Sequence, residues 1–396
     1  MIDLRERSYA VACAAMFVFG MILGLPGTVL GQPETVAQFG LTMADRGVLI
    51  STLYFGLLFG SLASGPFVDA IGHRAAMAVS SALAAVCLPL FAWAGNAAFA
   101  AIVLGTVGFA SASINTASNA LASELFSEER ARRMNGLGVL FGFGGLAMPA
   151  ATVLASDLVT WRGVVVGGGV LSAVVALTAA LMPMGGVRPA HASARLSPVA
   201  AFRHFARQPG FAWFCLLVML AGGNEASMAG WTSTFLIASG VSASAATIIL
   251  SSHWLGVILS RVIFSRYVDR AKTAAIERSA VAGALLVLIF VISLEPVVLA
   301  AGPFAIGMAI ALVMPTSLAL AGERVAGNPG TLFGLLLTLA QVGGMVLPAS
   351  IGLVAERAGV RPGLAILVAS CAAIVLVVRH ISASVPGAYQ AGPKGG

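Results

Sequence analysis

The chain has 396 residues, of which 59% are hydrophobic and only 9% are charged. Soluble domains carry about 25% charged residues, so a water-surrounded fold is excluded and the lipid bilayer is the expected solvent. The net charge of +7 does not indicate nucleic-acid binding, because the basic residues lie in short loops between apolar segments and not in one patch.

Apolar segments long enough to cross a bilayer as helices follow one another along the chain. The first six predicted spans cover residues 8–31, 46–68, 75–94, 97–122, 135–155 and 161–183. The second six cover residues 211–238, 243–265, 278–294, 297–321, 331–354 and 362–379. We therefore predict an all-α membrane protein of twelve transmembrane helices, with an N-terminal six-helix bundle at 1–183, a polar cytoplasmic linker at 184–210 and a C-terminal bundle at 211–396.

The two sets of spans repeat one another. Gly56, Val68-Asp69 and Thr116 return 200 residues later as Gly256, Val268-Asp269 and Thr316, and Gly144-Gly145 returns 199 residues later as Gly343-Gly344. Six is an even number, so both copies enter the membrane from the same side and are parallel repeats. Two such membrane units typically rock around a site between them.

The basic residues give the orientation. Only four of the 22 lie in or beside the loops predicted to face outside, namely Arg46, Arg162, Arg357 and Arg361. Because cytoplasmic loops are enriched in Arg and Lys, both termini are expected in the cytoplasm. The excess of Arg over Lys, with abundant Ala and Gly, suggests a bacterial source and hence the inner membrane.

A polar loop follows the second span. It reads Gly65-Pro66-Phe67-Val68-Asp69-Ala70-Ile71-Gly72-His73-Arg74, and a partial copy with Asp269 and Arg270 follows span 8. Asp69 can sit at the N-terminus of a neighbouring helix, where the helix dipole favours an anion, and Arg74 can pair with an acid. We predict gating roles for Gly65, Asp69, Gly72, Arg74, Asp269 and Arg270; a plain turn with a stop-transfer charge is the alternative.

This loop resembles the signature Gly-x3-Asp-x2-Gly-x-Arg of the major facilitator superfamily. Two further runs, Asn115-Thr116-Ala117-Ser118-Asn119 and residues 222–231, resemble its sugar-transporting branch, which includes the fucose–proton symporters. The resemblance implies alternating access around a cavity lined by spans 1, 4, 7 and 10. The chain departs from proton-coupled relatives because span 1 has no carboxylate and span 4 has no buried Arg. It departs from drug–proton antiporters because span 5 lacks their Gly-Pro pair.

One acidic residue is distinguished by its depth. Of the 15 carboxylates, only Glu225 falls near the centre of a predicted span, where an unpaired charge is costly. We predict that Glu225 couples transport to protons, with His253 of span 8 as a relay. The alternatives are a packing acid bonded to a hydroxyl, and a packing histidine. Arg261, nearer the cytoplasmic end of span 8, either extends to the membrane surface or meets an anionic substrate.

Amides and an aromatic ring share helix faces near the same depth. Residues 224, 228 and 231 are spaced i, i+4, i+7, and residues 115 and 119 are spaced i, i+4. Amides both donate and accept hydrogen bonds, which suits hydroxyl-rich ligands, and an indole ring packs on the apolar face of a sugar. We predict substrate-binding roles for Asn115, Asn119, Asn224, Met228, Trp231 and Gln341. Bonding between helices is the alternative for the Asn pair.

Together these features predict a secondary transporter for a small polar, sugar-like solute, driven by protons and acting as a monomer in the bilayer. No Walker-type phosphate loop is present, so ATP is not expected to drive it. The four cysteines form no CxxC pair, so no metal site, disulfide or cofactor is expected. The alternatives are an exporter of drugs or organic anions, a non-transporting receptor on the same fold, and an intramembrane enzyme, which would need paired catalytic groups.

Overall fold

The computed structural model describes residues 4–126, 129–182, 198–268, 272–325 and 329–384, and within these ranges all regular structure is helical. The helices are α1 (Leu4–Val29), α2 (Pro33–Phe39), α3 (Met43–Ala92), α4 (Ala97–Leu125), α5 (Arg130–Leu154), α6 (Trp161–Leu181), α7 (Pro198–Ala206), α8 (Phe211–Ala238), α9 (Ala243–Val268), α10 (Lys272–Ile292), α11 (Pro296–Ile310), α12 (Val313–Arg324), α13 (Pro329–Ala358) and α14 (Val360–Ser384). Below, α1–α6 are the N-terminal half and α8–α14 the C-terminal half.

Eleven segments of the described ranges are long and apolar enough to cross a membrane. One of them, α3, has 50 residues, over twice the length that a bilayer requires. It breaks at Gly72, whose φ of 83° and ψ of 158° are conformations that residues with a Cβ rarely adopt. Predicted spans 2 and 3 are therefore the two parts of α3, and the twelve-span fold is confirmed.

Span 10, predicted as one continuous helix over residues 297–321, is interrupted. It consists of α11 and α12, which are separated at residues 311–312. Pro315 has no N–H to donate to the carbonyl of Ala311, so the helix ladder cannot run through this point unbroken. The Ser260 hydroxyl on α9 donates to the Met308 carbonyl over 2.7 Å, which satisfies a polar group beside the break.

Two short helices were not predicted. Helix α2 lies between spans 1 and 2 and ends at Gly40, which adopts the left-handed conformation with φ of 61°. Helix α7 lies within residues 184–210, which were predicted as a polar linker, so residues 198–206 of that segment are helical. Most of the predicted linker lies outside the described residues, and the division into two bundles at these boundaries stays a prediction.

Candidate transport site

The two halves are joined at the ends that were predicted to face outside. The Gln32 amide at the end of α1 donates to Thr247 of α9 over 2.6 Å. Helices α3 and α13 cross so closely that a Cβ built on Gly352 would lie 3.1 Å from the Cα of Gly47. Only glycine backbones allow helices to approach this far, so this crossing is a closed contact between the halves.

A carboxylate strengthens this contact from the opposite half. Glu356 of α13 accepts hydrogen bonds from the backbone N–H groups of Met43 (2.8 Å) and Ala44 (3.3 Å), which begin α3. These N–H groups have no partner within their own helix, and an anion here is favoured by the helix dipole. About two helical turns after Met43 on α3, the Ser51 hydroxyl donates to the Met345 carbonyl over 2.6 Å.

The same helices separate toward the opposite end, which was predicted to face the cytoplasm. Gly65 lies three turns beyond Tyr54 on one face of α3, and a Cβ on Gly65 would meet nothing within 4 Å. Gly138 of α5 and Gly334 of α13 have the same open space. The two halves are therefore in contact at one end of the helices and apart at the other. With the predicted orientation the open end would face the cytoplasm, which would make this an inward-open state.

An ion pair joins the middle of α8 to the second half of α9. Arg261 of α9 donates to Glu225 of α8 over 3.2 Å. The side chains are 26% and 23% exposed respectively, so both are reached from the open side. Pairing offsets the cost of holding either charge at this depth. Arg261 therefore turns inward to a protein carboxylate and does not extend to the membrane surface.

Three of the predicted substrate-binding amides lie at partly accessible positions. Asn119 donates to the side-chain oxygen of Asn115 over 2.8 Å and to its backbone carbonyl over 2.9 Å. Gln341 of α13 donates to the Leu337 carbonyl over 3.3 Å. All three side chains are half-buried, on helices that belong to opposite halves. Substrate contact by these three amides stays a prediction.

The other three predicted substrate-binding residues are buried against the C-terminal half. Asn224 donates to the sulfur of Cys371 on α14 over 3.3 Å, and the Trp231 indole donates to the Pro348 carbonyl on α13 over 3.3 Å. Met228 is only 1% exposed. This face of α8 thus packs on α13 and α14, while Glu225, one residue and about 100° further round, points to the open side. Substrate contact by these three residues stays a prediction.

His253 is not beside Glu225 in this state. Its Nδ1 lies 3.2 Å from the Pro303 carbonyl on α11, and its Nε2 is buried without a hydrogen-bond partner. Gly307 allows this approach, because a Cβ there would lie 3.0 Å from the His253 Nδ1. The structure thus joins Glu225 to Arg261, and the relay role of His253 stays a prediction.

The predicted gating loop spans the Gly72 break. Arg74 donates to the carbonyls of Ala179 (3.0 Å) and Ala180 at the end of α6, so its partners here are helix carbonyls and not the acid that was expected. Its neighbour His73 lies 3.4 Å from Glu124 of α4. Asp69 is half-buried on the cytoplasmic part of α3. Asp269 and Arg270, the predicted counterparts after span 8, lie outside the described residues.

Sequence reasoning missed the contacts between the halves, although the repeat offered a signal for some of them. Tyr54 of α3 packs on Gly344 of α13, and Trp254 of α9 packs on Gly145 of α5. The rings are 200 residues apart and the glycines 199, which are the offsets of the repeat. Glu356 and Gln32 carried no such signal, because a polar residue near a loop is usually solvated.

Within the described residues, helices of bilayer length form two repeated sets that are in contact at one end and apart at the other, with an ion pair between α8 and α9. This arrangement is that of a membrane transport protein. The chain belongs to the Major Facilitator Superfamily, whose family model matches residues 12–348. It is therefore a transporter embedded in a membrane and not an enzyme. The predicted family is thus confirmed.

Individual relatives are distant. The glucose/mannose transporter GlcP of Bacillus subtilis (strain 168) is 22% identical over 365 residues, which cover 87% of this chain and 86% of that protein. A crystal structure of a mutant nucleoside transporter NupG superposes with a TM-score of 0.80 at 16% identity and covers 96% of this chain and 100% of that one. The E. coli fucose:proton symporter FucP superposes with a TM-score of 0.64 at 17% identity, covering 95% and 99%. The structural likenesses show the fold alone.

Proposed function

We propose that this protein carries a small hydroxylated solute, sugar-like in chemistry, by alternating access between the two halves. The proposal rests on the partly exposed Glu225–Arg261 pair of the C-terminal half. Half-buried amides on helices of both halves add further donors and acceptors. Carboxylate, guanidinium and amide groups together offer both donors and acceptors, which is what vicinal hydroxyl groups require. The similarity to a glucose/mannose transporter supports this solute class.

Coupling to protons is proposed at Glu225. With Glu225 ionised, the pair with Arg261 is intact; with Glu225 protonated, the attraction is lost and Arg261 is released toward the solute. A proton and a hydroxylated solute would then bind together and leave together. Glu225 is on α8 and Arg261 on α9, so the proposed proton site lies within the C-terminal half. His253 is proposed as a secondary proton site and the Gly65–Arg74 loop, with Asp69, as the cytoplasmic gate.

A drug or organic-anion exporter is the second candidate, favoured only by the positive charge of Arg261. Its pairing with Glu225 leaves no net charge at this point, which supports a neutral solute instead. A non-transporting receptor on the same fold is the third candidate.

Ligand-induced stabilisation tests the solute class. A ligand at about 100 times its Kd stabilises a folded protein by about 2.7 kcal/mol, which raises its Tm. We expect D-glucose or D-mannose to raise the Tm of the purified protein, and succinate to leave it unchanged. Asn119→Ala is expected to reduce the hexose effect, while Gln38→Ala, an amide bonded to the Ala94 carbonyl outside the site, is the matched control. A shift with succinate alone would favour the anion exporter.

Orientation in a bacterial inner membrane, with both termini and the 184–210 linker in the cytoplasm, is proposed from the basic residues. A reporter that is active only in the cytoplasm is expected to be active when fused at His191 and after Arg379, and inactive when inserted near Asn96. The opposite pattern of reporter activity would mean that the open end of this structure faces the outside of the cell.

A further inference from the structure

Two aromatic rings connect the halves at matching points of the repeat. A Cβ built on Gly344 of α13 would lie 2.3 Å from the Cδ1 of Tyr54 on α3, and one built on Gly145 of α5 would lie 2.5 Å from the Cδ2 of Trp254 on α9. Each ring therefore lies directly on a glycine of the opposite half. Tyr54 is 8% and Trp254 1% exposed, so both contacts are buried.

The two contacts lie at the same depth. Tyr54 is eleven residues after Met43, where α3 begins, and Trp254 is eleven residues after Ala243, where α9 begins. Both helices start on the outside, and at 1.5 Å per residue the rings lie about 16 Å below it, close to the centre of a bilayer. On the outer side of Tyr54 the helices α3 and α13 are in contact; on its inner side they separate.

From this geometry we infer that Tyr54 and Trp254 are the pivot residues of transport, and that the halves rock about the line joining the two rings. A flat ring on a bare glycine backbone has no ridge that locks into a groove, so the surfaces can tilt without separating. This inference rests on the alternating access proposed above, and not on the solute or on proton coupling.

A cross-link at a pivot leaves the movement of the two halves free, whereas a cross-link across a gate blocks it. The structure allows one cross-link of each kind to be tested. Gly344 would place its Cβ 2.9 Å from the Cγ of Tyr54, so the two Cβ atoms lie within about 4.4 Å, a distance that a disulfide spans. The pair Tyr54→Cys with Gly344→Cys cross-links the proposed pivot. The pair Gly31→Cys with Thr234→Cys cross-links the outer gate. A Cβ built on Gly31 would lie 3.2 Å from the Thr234 Oγ1, so the two Cβ atoms lie within about 4.6 Å of each other.

Exchange of D-glucose across proteoliposomes, before and after reduction, is the measurement. We expect the oxidised pivot pair to exchange glucose within about threefold of its reduced form, and the oxidised gate pair to fall at least about tenfold and recover on reduction, because only the gate must open. Arrest of the oxidised pivot pair, reversed by reduction, would overturn the inference. If the parent protein exchanges no glucose, only the proposal about the solute fails, and amide hydrogen exchange at residues 43–50 becomes the test of the pivot. The inference requires that the gate disulfide slows this hydrogen exchange and that the pivot disulfide does not. Equal slowing by both disulfides would overturn it.

Discussion

Glu225→Gln is expected to abolish accumulation of solute against a gradient while leaving exchange of solute across the membrane intact. Glutamine resembles the protonated acid, so the site would be held permanently in its proton-bound form. Release of the proton inside is what drives net uptake, whereas exchange needs only the loaded protein to change its orientation. Accumulation under an imposed pH gradient and exchange without one, both measured in proteoliposomes with D-glucose, distinguish the two activities.

A matched ion pair provides the control. Arg379 donates to Glu277 over 2.8 Å near the cytoplasmic ends of α14 and α10, and Arg379 is 65% exposed. Exposed ion pairs contribute little to stability, so Glu277→Gln should leave both activities near those of the parent. If accumulation persists in Glu225→Gln, the acid is not the proton carrier, and a uniporter with Glu225 as a hydrogen-bond acceptor becomes the better account.

Gly352→Leu is expected to shift the protein from the inward-open toward the outward-open state. A Cβ at residue 352 would lie 2.9 Å from the Met43 carbonyl and 3.1 Å from the Gly47 Cα, both of which are backbone atoms that cannot turn aside. Overpacking of this kind costs about 1–3 kcal/mol, and it falls only on the state in which the outer ends touch. The ratio of outward-open to inward-open protein should rise about 5-fold to 150-fold, since 1.4 kcal/mol is a factor of ten.

Thiol labelling measures this shift. Ser51→Cys lies beneath the outer contact and should label faster in the Gly352→Leu background, while Gly65→Cys on the open cytoplasmic side should label more slowly. Gly167→Leu is the matched control, because residue 167 is exposed on α6 and a Cβ there meets nothing within 4 Å. Equal labelling in all three backgrounds would show that the outer contact does not set the balance of states.

The spans were predictable because apolar length alone decides which segments cross a bilayer. The interruption between α11 and α12 was also within reach, since Pro315 removes a donor from the middle of a predicted span. The reversal at Gly72 followed from a glycine in a polar loop. Helices α2 and α7 were missed because short helices in loops carry no hydrophobic periodicity strong enough to identify them.

The site was harder to predict. The position of a residue along a predicted span gives its depth in the membrane, but it does not show toward which neighbour the side chain points around the helix axis. Helix α8 is apolar on all sides, so nothing local shows whether Asn224 or Glu225 points inward, and the two differ by about 100°. The partner of Glu225 lies 36 residues away on another helix. His253 was placed at the right depth, but its Nδ1 faces Pro303 on α11. Such pairings depend on tertiary packing that one sequence does not specify.

Proton movement in proteoliposomes is the most direct test of whether solute and proton move together through the site at Glu225. When D-glucose is added outside weakly buffered vesicles containing the protein, we expect the outer solution to become more alkaline as protons enter with the sugar. The same addition to vesicles with Glu225→Gln should cause no change. Entry of glucose at full rate without any change in the outer pH would contradict the account.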